Sequence, residues 1–105
     1  MAQIVWTEPA LIDLDEIAEY IALDKPGAAQ KFVKYVFTNV KHLKQFPKSG
    51  KRPPELQNTD YLELIVGPCR IFYRFSNDKI FILYVMRGER ELKLFILEDR
   101  EKSNK

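Results

Sequence analysis

Near Pro47 the hydrophobic pattern of this chain changes period, and no other feature restricts the fold as much. Before Pro47, apolar residues recur at helical spacing: Leu11, Leu14, Ile17, Ala18, Ile21 and Ala22, then Phe32, Val33, Val36, Val40 and Leu43. After Asp60 they alternate or run together as in strands. Cys69–Phe75 places Ile71, Tyr73 and Phe75 on one side and Arg70, Phe72 and Arg74 on the other, and Ile80–Met86 is almost wholly apolar. A chain with two amphipathic helices followed by strands packs its helices together against one sheet, which is an α+β arrangement.

Local signals set the boundaries. Gln3-Ile4-Val5-Trp6 reads as a short opening strand. Thr7 suits an N-cap, with Glu8 and Pro9 in the first turn of the helix that follows. Pro26-Gly27 separates the two helices, the second running from about Ala28 to Gln45 until Pro47 closes it. Residues 47–60 are rich in Pro, Gly, Ser and Asn and read as a loop. Tyr61–Val66 is a strand, Gly67-Pro68 a turn, and Ser76-Asn77-Asp78 a tight hairpin turn. Glu91–Glu98 fits either a strand or a short helix, and the polar end from about residue 99 to 105 is expected to fray. The predicted order is β-α-α-β-β-β, a helical hairpin on one face of a mainly antiparallel sheet. Its 105 residues suit a single domain.

Charge is distributed unevenly. Residues 1–40 carry three lysines against six carboxylates, whereas residues 41–75 carry seven Lys and Arg against three carboxylates. An acidic opening and a basic middle suggest a positive face built by the second half, a solvated surface without a target being the alternative. No apolar run reaches membrane-spanning length, and Met1-Ala2-Gln3 begins no signal pattern, so a cytoplasmic protein is expected.

Few catalytic classes remain. One cysteine, Cys69, and one histidine, His42, do not make an ordinary zinc site, and no spacing suggests another metal or a cofactor. No glycine-rich phosphate loop follows a strand, and Ser49, Ser76 and Ser103 lack a nucleophile context. His42, near the end of a lysine-rich helix, has a surface or packing role or a part in proton transfer. Cys69 reads as an apolar filler, and Trp6 as core at the edge of the helical hairpin. Arg70 and Arg74 share a strand face, and Arg87 and Arg90 flank Gly88 at the end of the last strand. If these segments are neighbours, the guanidinium groups converge at one sheet edge and suit phosphate or carboxylate. The alternative is cross-strand pairing with Glu63, Glu89 and Glu91.

The succession of short motifs resembles toxins of the RelE/ParE superfamily. The resemblance runs through Trp6, Thr7-Glu8-Pro9-Ala10, Asp13-Leu14, Ile17-Ala18-Glu19-Tyr20-Ile21-Ala22 and Ala28-Ala29. It continues in Phe46-Pro47-Lys48-Ser49-Gly50-Lys51-Arg52, Pro54-Glu55-Leu56 and the stretch from Tyr61 to Arg74. It closes with Ile82-Leu83-Tyr84-Val85 and Arg87-Gly88-Glu89-Arg90, so it covers about residues 4–92. It implies a toxin of a type II toxin–antitoxin module, bound by a cognate antitoxin protein in a hetero-oligomer.

Two branches follow from that resemblance. ParE-like toxins poison DNA gyrase and are not themselves enzymes. RelE-like toxins cleave messenger RNA on the ribosome, a reaction needing a base, an acid and cations around the phosphorane. Arg70 and Arg90 fall on arginine positions of the nuclease branch, with Glu91 a further candidate. Phe95 and Ile96 stand where that branch places its Tyr or His, and Met86 where many relatives have His. The resemblance therefore implies the ParE-like branch, with the ribonuclease as alternative and a non-toxic binding module of the same fold as a third. Expected contacts for target or antitoxin are Arg70, Arg74, Arg87, Arg90, Lys51 and Arg52.

Overall fold

The computed structural model describes residues 1–103. Strand β1 (Gln3–Trp6) leads through the Thr7 cap into helix α1 (Glu8–Ala22). Thr7 Oγ1 accepts the Ala10 N–H and donates to the Ile82 carbonyl at 2.7 Å, so one hydroxyl both caps the helix and ties it to the sheet. Helix α2 (Pro26–Lys41) continues as a 3₁₀ turn over His42–Lys44, four residues earlier than a single helix to Gln45 would require. Tightening there seats Leu43 in the core.

After a second 3₁₀ turn (Pro54–Leu56) come β2 (Leu62–Val66), β3 (Cys69–Ser76), β4 (Lys79–Arg87) and helix α3 (Leu94–Ser103). The sheet order is β1-β4-β3-β2, with β1 parallel to β4 and the other pairs antiparallel. Asn77 and Asp78 both have positive φ, 52° and 63°, in the two-residue turn that joins β3 to β4.

The helical hairpin covers one face of the sheet. There Leu14, Val36, Val40 and Leu43 pack on Val66, Ile71, Tyr73, Ile80, Ile82 and Val85. The other face is covered too, which the sequence reading did not foresee. Leu56, Tyr61, Leu92 and Leu97 pack on Phe72, Leu83 and Met86, and Leu94 joins them from α3. The ambiguous segment is thus a helix. It runs on through Asp99 to Ser103, where fraying was expected, because Arg100 and Glu101 are anchored to the rest of the protein. Asn104 and Lys105 lie outside the described residues.

A β-bulge gives β4 its two-faced character. Phe72 pairs with Tyr84, but Tyr73 pairs with Ile82, so Leu83 is the extra residue. Strict alternation would put positions 80, 82, 84 and 86 on one face. The bulge instead sends Ile80, Ile82 and Val85 to the hairpin side and Leu83, Tyr84 and Met86 to the α3 side.

Candidate interaction site

The four arginines singled out from the sequence do not converge. Arg70 lies on the α3 face, with Nη1 and Nη2 donating to the two Glu55 carboxylate oxygens at 2.8 and 2.7 Å. Its Nε also donates to Glu63 Oε2 at 2.8 Å. Glu63 is a buried carboxylate, 2% exposed, on the strand beside Arg70. Arg70 holds the Glu55 carboxyl below the usual carboxylate range, and the two carboxylates hold the guanidinium charged. Arg74, further along β3, pairs with Glu101 at 3.1 Å and lies 3.7 Å from Asp60.

Arg87 sits at the opposite end of the sheet from Arg74, with its guanidinium 4.9 Å over the Tyr20 ring on α1. It is also ion-paired to Glu89. Cross-strand or local pairing therefore describes Arg70 with Glu63 and Arg87 with Glu89, whereas Glu91 pairs with Lys93 at 3.2 Å. Lys51 and Arg52 are exposed on the loop after the second helix, with Lys51 Nζ 3.9 Å from Glu63.

What does gather around Arg87 is a cleft of about 430 Å³ between α1, α3 and the last turn of β4. Strand β1 ends at Trp6, opposite Ile82, so β4 beyond that point has no strand on its outer side. Side chains replace it. Asp13 Oδ2 accepts the Val85 N–H at 3.0 Å, and Arg100 Nη1 donates to the carbonyl of the bulge residue Leu83 at 2.9 Å. Asp13 and Arg100 are themselves joined by a two-pronged ion pair, one contact at 3.0 Å, and Arg100 stacks over Tyr84 at 4.6 Å. The cleft then offers an apolar floor of Ile17, Val85 and Ile96 with Tyr20, Arg87 and Arg90 at its rim and one exposed carboxylate, Glu16, on its α1 wall. Among the described residues, Arg90 has no ion pair.

The acid–base candidates are scattered. Tyr84 stacks on Phe72 and lines the cleft, Glu91 is committed to Lys93, Met86 is buried, and Phe95 is exposed on α3. His42 is exposed on the 3₁₀ turn after α2. Burial pushes the Cys69 thiol up to about 11, so it stays neutral. Among the described residues no three His, Cys, Asp or Glu side chains group as metal ligands, and no helix is long and apolar enough to cross a membrane.

Several organising residues escaped sequence reading. Asp13 and Arg100 are 87 positions apart and meet only because α1 and α3 flank the same strand end. Tyr73 is buried in the core, but its hydroxyl accepts the Gly50 N–H and donates to the Pro47 carbonyl, both at 2.9 Å. A Cβ on Gly50 would come within 2.7 Å of the Glu63 carbonyl oxygen, so only glycine lets the loop lie against β2.

Residues 4–92 match the family described as the ParE toxin of type II toxin–antitoxin system, parDE. The protein Y4kP of Sinorhizobium fredii is 42% identical over 89 residues, which is 85% of this chain and 91% of that one. Toxin RelE2 of Caulobacter vibrioides is 38% identical over 78 residues, covering 74% of this chain and 84% of its own. Among solved structures, a chain of the chromosomal ParDE TA system from P. aeruginosa superposes with a TM-score of 0.72 at 31% identity. That match covers 85% of this chain and 98% of the other. A chain of the RelBE2 toxin–antitoxin complex from Mycobacterium tuberculosis shares the fold, with a TM-score of 0.55 at 19% identity over 82% of this chain and 96% of its own. The chain belongs to the ParE toxin family of type II toxin–antitoxin systems.

Proposed function

We propose that this toxin arrests growth by poisoning DNA gyrase and is not itself a nuclease. The observation that carries the reading is the state of Arg70. A guanidinium that must cradle a scissile phosphate cannot already be held by Glu55 on one fork and Glu63 on the other. Helix α3 and Leu56 also roof the sheet face on which Arg70 lies. Glu91 pairs with Lys93, and Tyr84 lines the cleft with Arg90, so neither candidate is bonded to Arg70. Induced alone, the toxin is expected to trap covalent gyrase–DNA complexes and produce filamentous cells. Arrested translation with cut messenger RNA and an intact chromosome would overturn this.

A ribosome-dependent ribonuclease is the second reading, favoured by the unpaired Arg90 in the same cleft as Tyr84 and by likeness to a relative named RelE2. Cleavage on purified ribosomes that disappears in Arg90→Ala would establish it. A fold that binds but does not poison would instead give harmless overexpression of soluble protein.

The partner proposed for the cleft is an acidic, amphipathic tail of a cognate antitoxin. Ile17, Val85 and Ile96 accept its apolar side chains, and Arg87 and Arg90 attract its carboxylates. Arg87→Glu with Arg90→Glu should weaken antitoxin binding by at least tenfold while the melting curve stays near wild type. Full affinity in the folded double variant would move the antitoxin elsewhere. Arg70 is unsuited to this test, because a third carboxylate beside Glu55 and Glu63 would attack the fold itself.

A further inference from the structure

The strongest unassigned feature lies at the other end of the sheet from the cleft. From Lys41 to Pro54 the chain carries Lys41, Lys44, Lys48, Lys51 and Arg52 and no aspartate or glutamate. The segment wraps around the end where β1 begins and β3 stops. Lys41, His42 and Lys44 line a hollow of about 220 Å³ on one side. Lys48 and Arg52 line a groove of about 440 Å³ with Arg74 on the other. Asp60 lies in that second groove and is turned to Arg74, while Glu63, the carboxylate nearest Lys51, is committed to Arg70. In sequence, Phe46 falls between Lys44 and Lys48; it is 60% exposed and belongs to neither core cluster.

This basic loop is held in place rather than left to flex. Tyr73 grips it at Gly50 and Pro47, and Lys51 exchanges both main-chain hydrogen bonds with Glu63, at 3.0 and 2.7 Å. The Lys44 carbonyl accepts the Ala2 N–H at 3.1 Å, and Ser49 N–H reaches the Phe46 carbonyl at 3.0 Å. Fixing the main chain lowers the ordering cost of binding, while the lysine heads stay in water until a partner arrives.

We infer that this loop is a docking surface for single-stranded DNA, with the phosphates along Lys44, Lys48, Lys51 and Arg52 and a base stacked on Phe46. Four of the five cations are lysines, compact point charges that follow a line of phosphates but do not clamp a single carboxylate. An exposed aromatic ring between cations is what a base's π-face requires, and duplex DNA offers no such face along its length. The choice of DNA over RNA rests on the gyrase reading, in which the toxin's target is an enzyme that works on DNA. The loop and the antitoxin cleft are at opposite ends of the sheet, so one protein contacts its partner and its target through different surfaces.

Fluorescence anisotropy with a labelled single-stranded DNA oligonucleotide tests this, beside the same sequence as RNA, the DNA duplex and a poly-glutamate peptide. Binding to single-stranded DNA should fall with salt with a log–log slope of roughly −2 to −3, as expected for about three or four phosphates. Lys48→Glu with Arg52→Glu should weaken it at least tenfold and Phe46→Ala about tenfold, with melting curves unchanged. No binding at low salt, equal binding by the variants, tighter binding of RNA or duplex, or equal binding of poly-glutamate would each overturn the inference. Gyrase–DNA trapping is measured in parallel. Trapping without oligonucleotide binding sinks the surface and leaves the gyrase reading standing; binding without trapping does the reverse.

Discussion

Arg70 and Glu63 are diagonal neighbours across β3 and β2, and their pair is nearly dry because Glu63 is 2% exposed. Removing one member of such a pair strands the other's charge. Glu63→Ala should therefore cost about 3 kcal/mol in a denaturant melt, the lower end for a broken buried pair, since Glu55 still faces Arg70. Replacing Glu63 and Arg70 together with leucine and methionine should cost less than Glu63→Ala alone; a larger loss would mean the ion pair itself is the main stabiliser. Tyr73 makes a second residue-scale point. Tyr73→Phe keeps the buried ring but strands the Gly50 N–H and the Pro47 carbonyl. The expected loss is about 2 kcal/mol, with faster hydrogen exchange at Gly50 and Lys51 and none at β4.

At the scale of elements, α3 decides how the second sheet face is closed. Five apolar residues lie among Leu92–Leu97, so hydrophobic spacing favours no period. Packing does. In a helix, Leu94, Leu97 and Glu101 share a face, and these are the residues that meet Leu83, Met86 and Tyr61, while Phe95 stays 67% exposed. In a strand, Phe95 and Leu97 would share a face. Leu97→Ala should then cost about 3 kcal/mol and Phe95→Ala almost nothing. Equal costs by thermal melting would contradict the helix. The Asp13–Arg100 pair acts at the same scale, since it fastens α1 and α3 to the β4 bulge where a strand neighbour is missing.

The whole molecule has a pH window set by groups on both faces of the sheet. Glu55 titrates below the ordinary 4.5 because Arg70 bonds its charged form, so its stabilisation is complete above 4.5 and drains as pH falls through the lowered value. Tyr61 goes the other way. Burial, with Glu101 beside its hydroxyl, pushes it from 10 up to about 12, so its stabilisation is complete below pH 10 and lost on the way to 12. Tyr73 and Cys69 are raised by burial as well and share that alkaline loss. In melting temperature against pH, Glu55→Gln should flatten the acid limb and Tyr61→Phe should soften the alkaline one. An acid limb unchanged in Glu55→Gln would mean that other carboxylates control it. Charge also divides the molecule, with the basic loop at one end of the sheet and the arginine-rimmed cleft at the other.

Period, caps and turn residues were enough to read the helical hairpin, the order of the strands and the Asn77-Asp78 turn, because each is a property of a few adjacent residues. The motif succession was enough for the family. Pairing across distance was not readable. Arg70, Arg74, Arg87 and Arg90 are the same residue type in sequence, yet one is locked between carboxylates, one is paired to α3, and two rim the cleft, of which Arg87 is also paired to Glu89. Which it is depends on the register of β2 against β3, on a bulge at Leu83, and on a third helix that closes the far face. Each of those follows from how the summed apolar surface is best buried, a sum over the whole chain that no local window contains.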